Sequence, residues 1–308
     1  MSARVLVLTG GVGGAKLVEG LYRLLPADSL TAIVNTGDDF RHFGLPISPD
    51  IDTLLYTLAG KSNRELGWGR EAETWNFMAA LRSLGGEEWF NLGDGDLALH
   101  VLRGAALAAG EPLSAIIARF AATWGLNLAV LPMSDDPVAT WLETDEGSLP
   151  FQRYFVELRC APEVRSVRFE GAEQASPAPG VVEAIREADV ILIAPSNPWL
   201  SVDPLLAVPG ICTALADCAA PVVAVSPLVG GKAVKGPTAK LMGELGLAVT
   251  NTMIAAHYAG LIDGLLVHEG DDVPDGIAVA RTDTLMHDAA DREQVARGAL
   301  AFAEGLRR

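Results

Sequence analysis

The chain has 308 residues, of which 50% are hydrophobic, and its mean hydropathy is +0.28. Such a chain is an ordinary globular protein that can bury one large core or two unequal ones. The formal net charge of −16 and the pI near 4.7 argue against a nucleic-acid partner, because binding a polyanion relies on clustered Lys and Arg.

The first predicted unit is a β-α-β segment. An apolar run at residues 5–8 is typical of a buried strand, the periodic stretch 16–24 of a helix, and the run 30–34 of a second strand. Such a unit predicts a parallel sheet whose ligand-binding loops lie at the carboxyl ends of the strands.

A long helical excursion follows, from residue 53 to about residue 124. Apolar residues recur at three- and four-residue spacing, which predicts helices at 53–58, 71–84, 96–109 and 113–122. The apolar run 126–131 then predicts a strand that returns to the sheet.

The pattern changes at about residues 138–179. Strand-like runs at 140–143, 153–158 and 164–169 predict an antiparallel insertion. The second half resumes the α/β alternation, with strands predicted at 190–194, 222–225, 248–250 and 264–267.

Together these elements predict an α/β fold, Rossmann-like, with a doubly wound, mainly parallel sheet and a smaller lobe of mixed helical and antiparallel structure. Residues 1–137 and 180–308 would form the nucleotide-binding core, with the helical excursion inside it. Residues 138–179 would form the antiparallel insertion.

A glycine-rich turn follows the first strand. It contains Gly10, Gly11, Gly13 and Gly14, and Lys16 comes two residues later. Successive backbone amides at a helix N-terminus attract anions, so we predict phosphate or nucleotide binding here. The turn fits neither a Walker-type loop nor the dinucleotide fingerprint, and it could serve only as a tight strand-to-helix connection.

Four carboxylates lie close together in the next segment. Asp38 and Asp39 occupy one loop, and Asp50 and Asp52 lie two residues apart before a predicted helix. They repel one another unless a cation lies between them, and Mg²⁺ binds a few carboxylate oxygens together with substrate phosphates and water. Helix capping or a turn explains one or two of these acids but not all four.

A second polar stretch precedes the third predicted helix. Asp94, Asp96 and His100 lie within ten residues, and capping by the acids is an equally good interpretation. His100 would lie on the same helix face as Asp96, which favours a hydrogen-bonding role over metal binding. Nearby aromatic residues could line an apolar cleft, although a core role is favoured for most of them: Trp68, Trp75, Phe77, Trp89 and Phe90.

The remaining composition indicates the compartment. Cys160, Cys212 and Cys218 are scattered, without CxxC spacing, which argues against a disulfide framework or a zinc site. The first residues lead directly into a strand, and no stretch reaches the roughly 18 apolar residues of a membrane helix. We therefore expect a cytoplasmic protein with neither a membrane nor a nucleic-acid partner.

A series of short strings then carries a resemblance to a known family. The most specific are Ser-Pro-Asp-Ile-Asp-Thr at 48–53 and Pro-Met-Ser-Asp-Asp-Pro at 132–137. Others occur in order at 9–11, 34–36, 92–100, 194–198, 225–227 and 281–286. The chain resembles, over essentially its whole length, the 2-phospho-L-lactate transferase family of coenzyme F420 biosynthesis (CofD, called FbiA in actinobacteria).

The resemblance implies a Mg²⁺-dependent transferase and, by family expectation, a homodimer. Its substrates would be a guanosine diphospho donor carrying lactate, enolpyruvate or a related acid, and the deazaflavin Fo (7,8-didemethyl-8-hydroxy-5-deazariboflavin). The organic phosphate would move to the terminal ribityl hydroxyl of Fo and release GMP. The residues alone do not separate the donors, which differ by one or two hydrogens or a hydroxymethyl group.

The resemblance also implies residue roles. Asp50 and Asp52 would be catalytic and, with Asp38, would bind Mg²⁺. The nucleotide and its phosphates would contact the glycine turn, Lys16, Asn35, Thr36, Ser196 and Asn197. Fo would contact Asp52, Asn91, Asp94, His100, Met133, Ser134 and Asp135. Many family members have Lys where this chain has Asn91, so one positive charge is missing here.

Two other functions are compatible with parts of the sequence. A nucleotide-sugar-binding regulator of the gluconeogenesis-factor type would share the glycine turn, but the paired acids at 48–53 weigh against it. A dinucleotide oxidoreductase would need a ribose-binding acid at the end of the second strand, where Asn35 and Thr36 stand instead.

Overall fold

The structure is a computed structural model that describes residues 3–63 and 67–306. Its helices in chain order are α1 (Gly11–Leu24), α2 (Pro49–Leu58), α3 (Asn76–Ser83), α4 (Asp94–Ala108), α5 (Leu113–Thr123), α6 (Val181–Glu187), α7 (Asp203–Leu206), α8 (Ile211–Asp217), α9 (Thr238–Glu244), α10 (Asn251–His257) and α11 (Ala289–Leu306). Its strands are β1 (Val5–Thr9), β2 (Leu30–Val34), β3 (Phe40–His42), β4 (Leu45–Ile47), β5 (Ala129–Pro132), β6 (Ala139–Thr144), β7 (Gly147–Pro150), β8 (Val164–Glu170), β9 (Val190–Ile193), β10 (Val222–Val225), β11 (Leu228–Val229), β12 (Lys232–Ala233), β13 (Gly264–His268) and β14 (Ala278–Thr282).

A seven-stranded parallel sheet forms the centre of the fold, in the order β14-β13-β10-β9-β1-β2-β5. β1 pairs with β2 on one side and with β9 on the other. The chain therefore reverses its direction of winding between β1 and β9, and parallel sheets bind ligands at the carboxyl edge of such a switch point. The predicted α/β, doubly wound fold is confirmed.

Both faces of the sheet are covered by apolar side chains. In β1, Leu6 and Leu8 face one hydrophobic cluster, whereas Val5 and Val7 face the other. Burial on both faces explains why the strands are continuous apolar runs rather than alternating ones. α1 and α11 pack together on one face, at a point where a side chain on Gly20 would meet the Arg292 carbonyl oxygen.

The segment predicted as an insertion contains a three-stranded antiparallel sheet in the order β7-β6-β8. Leu142 and Tyr154 from this segment are completely buried in the same cluster as Leu6 and Leu8 of the main sheet. The insertion therefore shares the core of the large sheet. Residues 1–2, 64–66 and 307–308, which the predicted units include, lie outside the described residues.

Two predicted strands are wrong. Residues 153–158 fall in a π-helical turn, Arg153–Glu157, in which Phe151 and Phe155 stack with ring centroids 5.2 Å apart. Residues 248–250 do not form a strand, because Thr250 caps α10 by accepting a hydrogen bond from the Met253 amide at 3.2 Å. The predictions also missed the β3–β4 and β11–β12 hairpins, β7 and β14.

Several helix starts differ from the predictions. α1 begins at Gly11 rather than Lys16, so the glycine turn is itself the first helical turn. α2 begins at Pro49, which places Asp50 and Asp52 inside its first turn rather than before it. α3 begins at Asn76 rather than residue 71, because Asp94 accepts hydrogen bonds from the Asn76 and Phe77 amides at 3.1 and 2.9 Å.

Across the described parts of the chain, no single helix is both long and apolar enough to cross a bilayer; the pair Pro198–Leu206 and Ile211–Asp217, bent by 85°, would meet that test only jointly, on length and composition.

Candidate active site

The carboxyl ends of β1, β9 and β10 open onto a cavity of about 610 Å³. The loops that follow these strands supply Gly10, Ser196 and Ser226 to its lining. α2, the insertion and the loop after β12 form the other walls. The cavity therefore lies where the switch point of the sheet predicts a ligand.

The glycine turn lies directly against the acidic residues. A Cβ atom on Gly10 would be 2.7 Å from Asp50 Oδ2 and 2.8 Å from Ser201 Cβ, and one on Gly13 would be 2.6 Å from the Pro195 carbonyl oxygen. The Ser196 hydroxyl donates to the Gly10 carbonyl oxygen at 2.7 Å and fixes the turn against the loop after β9. The absence of side chains here brings backbone and carboxylate together at one end of the cavity.

Gly10→Ala is expected to lower kcat/KM by about 10- to 100-fold, because the new Cβ must displace Asp50 or Ser201. Steady-state kinetics of the transfer reaction would measure this. Gly243→Ala is the control, since a Cβ there meets no atom within 4 Å and is expected to leave kcat/KM unchanged. Equal losses of kcat/KM in both variants would contradict the inference that a side chain on Gly10 clashes with Asp50 and Ser201.

Asp38 and Asp50 are two buried carboxylates that influence each other electrostatically. Their exposed fractions are 6% and 7%. Burial raises the pKa of Asp50 to about 6, although Asn35 Nδ2 donates to its Oδ2 at 3.0 Å. Burial and the Asp50 charge raise the pKa of Asp38 well above its usual value, and Asp38 Oδ1 has no hydrogen-bond partner among the described residues. A bound cation would relieve both effects.

The acidic pair fits Mg²⁺ as a partial ligand set. Within the described ranges no three His, Cys, Asp or Glu side chains are arranged as a ready metal site. Mg²⁺ does not need one, because it is held by one or two carboxylates with substrate phosphates and water. Asp38 and Asp50 would supply the carboxylates, and Asp38 Oδ1 is a buried oxygen that has no hydrogen-bond partner among residues 3–63 and 67–306.

Asp52 has a different environment. Arg103, which is fully buried, contacts both of its carboxylate oxygens, and the Nη1–Oδ2 distance is 3.1 Å. Asp52 raises the pKa of Arg103, against the opposing effect of burial. His100 lies between two acids, with Nδ1 3.7 Å from Asp52 Oδ2 and Nε2 3.2 Å from Asp96 Oδ2. The charge of Asp52 is therefore compensated within the protein, and Arg103 was not predicted to be its partner.

Part of the cavity lining is apolar and aromatic. Trp68 and Phe90, two of the five aromatic residues for which a core role was favoured in most cases, line the cavity, and Phe151 and Phe155 come from the insertion. The four-residue spacing of the last two is helical, a signal that the strand prediction for 153–158 overlooked. A cavity lined by both glycine-rich backbone and aromatic rings suits a ligand with polar and planar apolar parts.

Other predicted contacts line the same cavity. Asp52, Asn91 and His100, all predicted to contact Fo, are among its lining residues, as are Ser196 and Asn197. Lys16 also lines it, and its Nζ donates to the Met286 carbonyl oxygen at 2.6 Å. Their roles stay predictions.

A second group of predicted residues lies outside the cavity lining, and each has a structural role instead. The Asp94 carboxylate caps α3 and accepts from the Thr74 hydroxyl at 2.6 Å. Asp135 accepts from the Ser114 amide and hydroxyl at 2.7 Å each, and caps α5. Ser134 donates to the Ser176 carbonyl oxygen at 2.6 Å, and Met133 is completely buried in the core. None of these four residues lines the cavity, and their predicted contacts with Fo stay predictions.

Three of the predicted nucleotide-binding residues lie beneath the cavity rather than on it. A Cβ on Gly14 would be 2.2 Å from Thr9 Oγ1, so this glycine is needed for packing. Asn35, fully buried, orients Asp50 and accepts from the Gly37 amide at 2.8 Å. Thr36 is 3% exposed and does not line the cavity. Gly14 and Asn35 pack against or orient other residues of the site, and the predicted nucleotide contacts of all three stay predictions.

The fold and the cavity define an α/β protein whose main cavity opens at the carboxyl edge of its parallel sheet. Residues 5–302 match the family model described as 2-phospho-L-lactate transferase CofD, and the chain belongs to this family of transferases. The resemblance found in the sequence motifs is thereby confirmed.

Relatives named phosphoenolpyruvate transferase are similar over almost their entire length. The protein of Streptomyces coelicolor is 44% identical over 320 residues, covering 99% of both chains. That of Kitasatospora aureofaciens is 44% identical over 317 residues, again covering 99% of each. That of Mycobacterium sp. strain KMS is 39% identical over 326 residues, covering 97% of this chain and 98% of the other.

A solved structure supports the fold. The crystal structure of a UPF0052 family protein from Bacillus halodurans has a TM-score of 0.63 and 21% sequence identity, and the match covers 97% of this chain and 99% of that one. At this identity the likeness concerns the fold alone.

Proposed function

We propose that the protein transfers an organic phosphate group from a guanosine diphospho donor to the terminal ribityl hydroxyl of the deazaflavin Fo, with release of GMP, in coenzyme F420 biosynthesis. The names of its relatives favour enolpyruvate as the organic acid, with lactate as the alternative. Neither the acceptor nor the donor is present in the structure, so the proposal rests on the site and on family membership.

The observation that carries the proposal is the composition of the cavity of about 610 Å³. Its lining combines the glycine turn and the buried residues Asp38 and Asp50 with aromatic rings, including Trp68 and Phe151. Backbone amides at a helix N-terminus suit a diphosphate. The aromatic wall suits a planar ring system, which the deazaflavin supplies.

The proposed reaction is a direct phosphoryl-type displacement. The ribityl hydroxyl oxygen bonds to the phosphorus that carries the organic acid, and the anhydride P–O bond to GMP breaks with its electron pair on GMP. The hydroxyl proton passes to a carboxylate, for which Asp50 and Asp52 are the predicted candidates; we favour Asp50, since both oxygens of Asp52 already contact Arg103. No covalent enzyme intermediate is needed, so the residues act by positioning and by charge.

Mg²⁺ would be held by Asp38 and Asp50, with Asp52 as a further predicted ligand, and would supply neutralisation of the charge that develops on the diphosphate. The same carboxylates and the glycine turn orient the donor when the ion is bound.

The expected result for the purified protein is GDP binding that depends on Mg²⁺, measured by calorimetry with and without a chelator. With Fo and each donor in turn, we expect GMP and a coupled deazaflavin product by chromatography, and the donor with the highest kcat/KM identifies the organic acid. Hydride transfer from NADPH, or tight binding of a nucleotide sugar without turnover, would contradict the proposal and support one of the two rival functions.

A further inference from the structure

A small cleft continues from the main cavity on the side of the glycine turn. Its volume is about 120 Å³, and Val12, Lys16 and Trp68 line both spaces. A cleft of this volume holds several waters and has room for a small acid group. A group attached to a diphosphate at the glycine turn would lie next to this cleft.

The cleft concentrates positive charge in a protein whose net charge is −16. Lys16, Lys235 and Arg292 line it together with His287, and none of its described lining residues is acidic. Burial and the charges of Arg292 and Lys235 lower the pKa of Lys16, against the opposing charges of Asp291 and Glu19, so Lys16 lies within the electrostatic field of both other cations. An anion bound between them would offset these positive charges.

Arg292 supplies a second, independent observation. Arg292 is 9% exposed, and its Nη1 pairs with Glu19. Its buried Nε has no hydrogen-bond partner in the described part of the chain. A buried donor without a partner costs free energy. A carboxylate oxygen in the cleft would provide the acceptor.

Lys235 lies on the other lip of the cleft, in the loop after β12. A Cβ on Gly67 would be 2.5 Å from its Nζ, so its ammonium group reaches across to the opposite lip. Its side chain is exposed and lines both the cleft and the cavity. Lys232, on β12 of the same hairpin, is also exposed but lines neither space, and it offers a matched control.

We propose that this cleft binds the carboxylate of the donor's organic acid and that Lys235 determines the affinity for it. The inference rests on the proposed function, because that function supplies a donor with a three-carbon acid beside its diphosphate. GDP carries the diphosphate but lacks the acid, so the two ligands separate a carboxylate subsite from a phosphate subsite.

The test measures the equilibrium binding of the enolpyruvyl guanosine diphospho donor and of GDP, with Mg²⁺ and without Fo, by calorimetry. Lys235→Met is expected to weaken binding of the donor about tenfold, as for loss of one charge-assisted hydrogen bond, and to change GDP binding less than about twofold. Lys235→Arg is expected to retain donor binding, and Lys232→Met to leave both ligands unaffected.

Equal weakening of donor and GDP in Lys235→Met would overturn the proposal and assign Lys235 to the diphosphate. If Lys235→Met binds the donor and GDP as tightly as the parent protein does, the proposal that this cleft recognises the donor is wrong. Because no acceptor is present, these outcomes do not depend on transfer: failure to form GMP with Fo refutes the proposed function, whereas donor-selective loss of binding still supports the carboxylate subsite.

Discussion

Replacement of Asp50 by Asn is expected to lower kcat by about 10³-fold, equal to about 4 kcal/mol of transition-state stabilisation. Asp50 lies 2.7 Å from the position of a Gly10 Cβ and forms the buried acidic pair with Asp38. The amide removes the charge that would hold Mg²⁺ against the diphosphate. Steady-state kinetics at saturating Mg²⁺ would measure the loss.

The same variant is expected to fold as stably as the parent protein or more so. Burial raises the pKa of Asp50 to about 6, so its ionised form costs folding free energy at pH 7. An Asn side chain can still accept from Asn35 Nδ2, and it no longer repels Asp38. A higher or unchanged melting temperature together with lost activity would separate a functional role from a structural one.

Asp39→Asn is the matched control for this experiment. Asp39 is a carboxylate of the same acidic segment whose pKa burial also raises, and it accepts from the Ser48 hydroxyl at 2.7 Å. It does not line the cavity. Activity within a few-fold of the parent is expected, and a loss as large as that of Asp50→Asn would show that any change of charge in the segment is harmful.

Asp52→Asn is expected to have the largest effect on stability, a loss of about 3–5 kcal/mol in the free energy of unfolding. The substitution leaves the guanidinium of Arg103 fully buried without its counter-ion. Urea denaturation followed by circular dichroism would measure the change. By contrast, Asp50→Asn is expected to leave the stability unchanged or to raise it, although Asp50 and Asp52 lie in the same helical turn.

A double variant separates the structural contribution of Asp52 from a functional one. Asp52→Leu with Arg103→Met replaces the ion pair by apolar groups and is expected to recover most of the stability, since buried pairs often contribute little net free energy. If the double variant is stable but inactive, the result is consistent with the predicted catalytic and Fo-binding role of Asp52. A stable Asp52→Asn variant would contradict the importance of the pair.

Much of the fold could be predicted because parallel strands that are buried on both faces are short, continuous apolar runs. Residues 5–8, 30–34 and 222–225 were found within one residue of their observed bounds for this reason. The prediction failed where local pattern was ambiguous. The aromatic spacing around Phe151 and Phe155 is compatible with a strand or a helical turn, and only the packing of that segment selects the π-helical turn.

The candidate site was predicted in part, for a similar reason. The glycine turn and Asp50 are adjacent to strand ends, and the topology of a parallel sheet brings such ends together. Asp94 and Asp135 occupy equally acidic strings, yet both are helix caps outside the cavity. Sequence alone does not show that these carboxylates are caps, because the helix amides that donate to them lie 17 and 21 positions away in the chain.

By itself, the sequence determined the α/β class, the family and the glycine-rich turn after the first strand, because these depend on the periodicity of apolar residues and on motifs contiguous in the chain. Only the tertiary structure decided which carboxylates are paired with a buried cation. Arg103 neutralises Asp52 from 51 positions away, whereas Asp38 and Asp50 are buried together and have no salt-bridge partner within the described ranges. Charge compensation depends on distances in space, and the order of residues in the chain does not specify them.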